Sequence, residues 1–111
     1  MDSILTSIKK LLGITEECTD FDSDIIMHIN SVFMILNQLG VGPVDGFRIE
    51  DESAEWNEFI DDEDCLDAVK SYMHIKVKLL FDPPLNTSVM EATKQMINEL
   101  EWRLNVQAES K

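Results

Sequence analysis

The chain has 111 residues, 44% of them hydrophobic, and a formal charge of −13 from nine Lys and Arg against 22 Asp and Glu. That length fits one domain spanning 1–111 with one modest core, and the apolar content argues against a disordered chain despite the charge. Acidity on this scale disfavours binding to a nucleic-acid backbone or to anionic lipid, both of which are themselves negative.

Cys18 and Cys65 lie far apart with no CxxC or Cys/His spacing, so they read as free thiols in a reducing compartment. The N-terminus lacks a basic stretch ahead of an apolar segment, and the longest apolar run, residues 32–36, is far too short to span a bilayer. The expectation is a protein made in the cytoplasm with no membrane partner.

In chain order, Ile4, Leu5, Ile8, Leu11 and Leu12 recur at helical spacing, with Ser3 placed to cap and Gly13 to stop a short first helix. Lys9 and Lys10 suit the negative end of its dipole. A second helix starts near Asp22, where Asp20, Asp22 and Asp24 supply cap and first-turn carboxylates, and it runs to Gly40. Its core stripe is Ile25, Ile29, Val32, Leu36 and Leu39, while Ile26, Met27, Phe33, Met34 and Ile35 widen the apolar arc beyond one contact.

Residues 40–52 carry Gly40, Gly42, Pro43 and Gly46 and read as one long irregular loop, with a possible extended piece at 47–49. Loops of this length in small domains are usually functional or mobile, and Val41, Val44, Phe47 and Ile49, if exposed, would need a cover. Residues 53–59 fit a single helical turn with Trp56 and Phe59 on one side.

A third long helix follows, with one stripe of Leu66, Val69, Met73, Val77 and Leu80 and another of Tyr72, Ile75 and Leu79. Pro83 and Pro84 end it abruptly. The last helix restarts at Asn86 or Ser88, and Ser88 with Glu91 matches a capping box. Its core stripe is Val89 or Met90, Thr93, Met96 or Ile97, Leu100 and Leu104. Glu99 and Arg103 make a favourable i,i+4 pair, whereas Trp102 lies about 200° around the helix from Leu100, beside Val106. The fold class expected is all-α: a small bundle of about four main helices plus a short helical turn, with the loop at 40–52.

No catalytic constellation stands out. The carboxylates between residues 50 and 67 lack the glycine and closing glutamate of a calcium loop, so they read as a solvated face. His28 and His74 sit on different helices outside any HExxH, and no GxSxG, GxxxxGK[ST] or GxGxxG occurs. The chain is not expected to be an enzyme, and no metal or other cofactor is implied. The methionines on helical stripes read first as core filler.

Three segments in this order and spacing, QLGVGP at 38–43, FDPP at 81–84 and ELEWRLN at 99–105, resemble the small head–tail connector (adaptor) proteins of tailed bacteriophages and prophages. The resemblance extends to the succession of helices over nearly the whole chain. It implies a virion structural subunit at the head–tail junction, assembled as a closed ring of about twelve copies beneath the portal protein. Such a ring extends the DNA channel, lets DNA pass without specific binding, and docks a stopper or tail-completion protein. On that basis Trp102, Arg103 and Val106 become candidates for the portal side, and Val41, Val44, Phe47 and Ile49 for contact with a neighbouring subunit. Asp61, Asp62, Glu63 and Asp64 become candidates for an acidic channel wall or surface. Like-charge repulsion should keep the free protein monomeric at low salt, with full assembly on the portal. Two other readings compete: an acidic helical inhibitor that mimics DNA on a basic partner protein, and a metal-dependent enzyme using Asp61 and Asp64.

Overall fold

Ser3 and Glu55, joined by a single backbone bridge, bring the first helix against the middle of the chain in a computed structural model that describes residues 3–60 and 62–109. Among the described residues lie five helices: α1 (Ile4–Leu11), α2 (Asp22–Gln38), α3 (Trp56–Phe59), α4 (Glu63–Phe81) and α5 (Thr87–Glu109). The all-α bundle follows the periodicity of the sequence, with the short α3 as the helical turn. α4 is central. It packs against α2 on one side and α5 on the other, and α1 lies across α2 and α4. The result is a slab 39 × 37 × 20 Å.

Each helix forms for local reasons that the core then fixes. The Ser3 hydroxyl accepts the Thr6 N–H at 3.3 Å, satisfying one orphan donor at the start of α1, while Ile4, Leu5 and Ile8 are buried. Gly13 closes the helix at a φ of 82°, a conformation that a side chain would resist.

Lys9 lies in the last turn of α1, where its charge suits the helix dipole, and it is also buried, only 3% exposed. Its Nζ donates to the carbonyls of Glu16 and Cys18 at 3.1 and 2.7 Å and lies 2.9 Å from an Asp22 carboxylate oxygen. A buried ammonium persists because two carbonyls accept its hydrogen bonds and the Asp22 carboxylate balances its charge. The same contacts tie the connector before α2 to α1. They also draw Asp22 away from capping: the residue at the cap position is Phe21, with no side-chain bond, so the expected aspartate cap is absent.

Along α2, Ile25, Ile29, Val32 and Leu36 are fully buried, as their spacing requires. Across the bundle, Leu66, Val69, Met73 and Val77 of α4 are buried with Tyr72. Leu80, the last member of that stripe, is 47% exposed because α4 ends one residue later. The methionines correct the filler reading: Met73 is buried, but Met27, Met34 and Met96 are at least half exposed.

The Asp62 carboxylate caps α4 by accepting the N–H groups of Asp64 and Cys65. At the other end Asp82 closes the helix and the two prolines turn the chain. The restart of α5 uses Asn86, whose Oδ1 accepts the Val89 N–H at 3.2 Å. Thr87 is therefore already helical, Ser88 lies inside the first turn, and the Ser88–Glu91 capping box is not the start signal.

Candidate docking surfaces

α5 is seated by one side only. Ile97 and Leu104 are buried against the bundle with Leu100 half-buried between them. Two polar contacts flank that seam. The Tyr72 hydroxyl donates to Glu101 at 2.7 Å, and the Asn105 amide donates to the Leu39 carbonyl at 3.2 Å. Burial, followed by the hydrogen bond and the charge of Glu101, pushes the Tyr72 hydroxyl well above the usual phenol range.

The opposite side of α5 is open. Trp102 is 66% exposed and Val106 43%. Arg103 stands between them and forks onto Glu99, its Nε and Nη2 at 3.1 and 2.8 Å from the same carboxylate oxygen. The three residues assigned to the portal side thus share one solvent-facing strip. An indole left this exposed is an unusual use of the most hydrophobic large side chain, and it suits a site covered by another molecule.

The loop between α2 and α3 is less open than its composition suggests. Asn30 grips Ile49 through both backbone groups, donating to its carbonyl at 3.0 Å and accepting its N–H at 2.8 Å. Phe47 packs between Phe33 and Phe59, with ring centroids 5.1 and 5.5 Å away. Gly42 has a φ of 89°, and a Cβ there would come within 2.4 Å of the Phe59 ring, so only glycine passes. These contacts correct the expectation for the loop. Val41 and Ile49 are buried in their own subunit and offer no surface to a neighbour, Phe47 is half-buried, and the segment at 47–49 stays irregular. Val44 alone projects, 95% exposed. The sequence could have hinted at this, because Asn30 and Asn37 on a helix face are the side chains that hold the loop down.

Of the acidic residues assigned to a channel wall, Asp61 lies outside the described residues. Asp62 is occupied as the cap of α4, and Glu63 and Asp64 are exposed in its first turn. Among the described residues, no three His, Cys, Asp or Glu side chains converge as metal ligands would. None of the described helices is long and apolar enough to cross a membrane. Neither Cys18 nor Cys65 is in a disulfide; Cys65 is buried and Cys18 half-buried.

Two of the grooves among the described residues have exposed apolar walls. One of about 860 Å³ runs between α2 and the loop, past Met27, Met34, Phe47 and Arg48. The other, about 640 Å³, lies beneath the proline corner between α4 and α5. Leu85, Val89 and Met96 there are respectively fully, 50% and 51% exposed. The sequence hides this surface because the stripe reads equally as Val89 or Met90 and as Met96 or Ile97; Ile97 is the buried one, and Val89 and Met96 face out. Leu85 was the available signal, an apolar residue after two prolines with no helical stripe to join.

Comparison with known proteins gave one family: a family model described as phage connector protein matches residues 4–111. No curated protein and no solved structure matched the chain.

Proposed function

This chain belongs to the phage connector protein family, and on that premise we propose that it is a ring subunit of the head–tail connector. Family membership makes it a phage structural protein whose interactions are with other virion components. The finer reading is that copies close into a ring under the portal protein, extend the DNA channel and present a platform to a stopper or tail-completion protein. The exposed Trp102 strip on α5 carries this reading, because it is a large apolar feature on a helix whose other side is seated on the bundle through Ile97 and Leu104. In this reading Trp102 and Val106 dock on the portal, and Arg103 sets their register.

The chemistry required is modest. No bond is made or broken; shape, ring closure and repulsion do the work. An acidic inner wall keeps phosphate from sticking during DNA passage, which suits a surface as negative as this one. The DNA-mimic alternative shares the acidity, but the exposed apolar side chains at Met27, Met34, Leu85 and Trp102 have no part in it.

The test is to mix the purified chain with the portal protein of the same phage or prophage and inspect the product by electron microscopy. A ring capping the portal is expected. Absence of any portal complex, together with tight binding to a DNA-processing enzyme, would sink the connector reading in favour of the inhibitor.

A further inference from the structure

α5 is the longest helix and the least engaged. Of its 23 residues only Ile97 and Leu104 are buried, whereas α1 buries four of eight. Among the helices it packs chiefly on α4. Two side-chain hydrogen bonds fasten it, from Tyr72 to Glu101 and from Asn105 to the Leu39 carbonyl. With few contacts, all on one side, α5 is able to leave the bundle as a single unit.

The link behind it, residues 82–86, carries two consecutive prolines and is exposed apart from half-buried Pro84. Asp82 and Pro83 each precede a proline, which disfavours helical backbone there and favours an extended link over a tight reversal. Straightened, these residues reach ~15 Å, further than the roughly 8–10 Å between packed helix axes. The seat that α5 occupies also has a defined complement. It accepts Ile97, Leu100 and Leu104, and the Tyr72 hydroxyl within it bonds the Glu101 carboxylate. Tyr72 is wholly buried with α5 in place, so a bare seat would expose an aromatic ring to water. The helix that fits this seat is α5, from the same chain or from another copy.

We propose that α5 exchanges between copies: it pivots at residues 82–86 and seats on α4 of a second copy, which passes its own α5 onward. Every contact of the exchanged helix is one that the single subunit already makes, so no new complementary surface is required. The exchange rests on the ring reading for its closure, since a helix handed on in one direction joins copies head to tail. Trp102 and Val106 face away from the seat before and after the exchange, so they stay open to another partner.

Cysteines placed across the seat test the exchange. A Cβ added at Gly40 would lie 3.4 Å from the Ala108 Cβ, close to the spacing of a disulfide. Full chains carrying Gly40→Cys and full chains carrying Ala108→Cys are mixed at ~0.15 M salt and gently oxidised. Peptide mapping should find a 40–108 link between chains in preference to 40–40 or 108–108 links. Both substitutions in one chain should give the link within the chain when dilute and between chains when concentrated. A link confined within the chain at every concentration, or a mixture that forms 40–40 and 108–108 links as readily, overturns the exchange. Gly40 has a φ of 85°, which a cysteine resists, so wild type supplies a second readout. In a mixture of isotope-labelled and unlabelled wild-type chains, nuclear Overhauser contacts between Tyr72 of one chain and Glu101 of another should grow with concentration. Contacts found only within one chain overturn the exchange and leave the ring to be decided by the portal mixture.

Discussion

If the proposed docking holds, Trp102 separates folding from binding at the level of one side chain. With its indole mostly in solvent, Trp102→Ala should change monomer stability by less than about 0.5 kcal/mol. The same change should weaken portal binding by about 2 kcal/mol or more, roughly thirtyfold, as read by a binding titration. Loss of the monomer fold instead would return the residue to the core. Tyr72 is the opposite case, wholly buried with its hydroxyl on Glu101. Tyr72→Phe should cost about 1.5–3 kcal/mol in denaturant unfolding, because the bond to a carboxylate is lost. The raised Tyr72 value also has a sign: its contribution is full below the ordinary phenol value of 10 and is lost as pH climbs through the raised value. The Phe variant should lack that alkaline loss. His74 works at the other end of the scale. Burial first and Lys78 second hold its imidazole below 6.5, and contact with the Leu11 backbone only partly opposes them. Its contribution is present above 6.5 and lost as pH falls through the lowered value. Thermal unfolding across that range should show a shallower acid decline for His74→Gln than for wild type.

At the scale of elements, the restart of α5 decides between two readings of the same six residues. Asn86→Ala should destabilise by about 1 kcal/mol and Ser88→Ala by much less, measured by thermal or urea unfolding, since only the Asn86 side chain caps. The reverse ranking would place the helix start at Ser88. Helix positions were legible because a period near 3.6 and a proline pair are local signals, and α1, α2 and α4 lie where Ser3, Ile25 to Leu36 and Pro83 place them. What stayed hidden depends on contacts between distant residues. Nothing near Ile49 in sequence announces that Asn30 will grip it. Nothing near Lys9 announces that Glu16, Cys18 and Asp22 will close around its amine. The candidate strip was legible for a related reason: Trp102 sits opposite Leu100 by helical geometry alone, and geometry within one helix needs no tertiary information. The corner groove needed α4 and α5 placed side by side before it existed.

For the whole molecule, charge and apolar surface pull against each other. A subunit at −13 repels its copies, while Met27, Met34, Val44, Leu85 and Trp102 reward contact. Lowering the ionic strength lengthens the screening distance from about 8 Å at physiological salt to roughly 30 Å at 0.01 M, so assembly should be weaker in dilute buffer. Light scattering across a salt series should rise with ionic strength through that window; a fall would mean that salt bridges, and not apolar contacts, dominate association.

The two tryptophans give this protein a built-in optical assay. Trp56 is sealed inside, its indole N–H on Ser7 and Lys70 over its ring, while Trp102 stands in water. Emission from the native chain should therefore contain a blue component that reports unfolding and a red component that reports docking. The red one should be extinguished by acrylamide, an uncharged quencher that the acidic surface does not repel, and should regain protection when the α5 strip is covered. One fluorescence titration can thus tell a partner that binds the subunit from a condition that merely unfolds it.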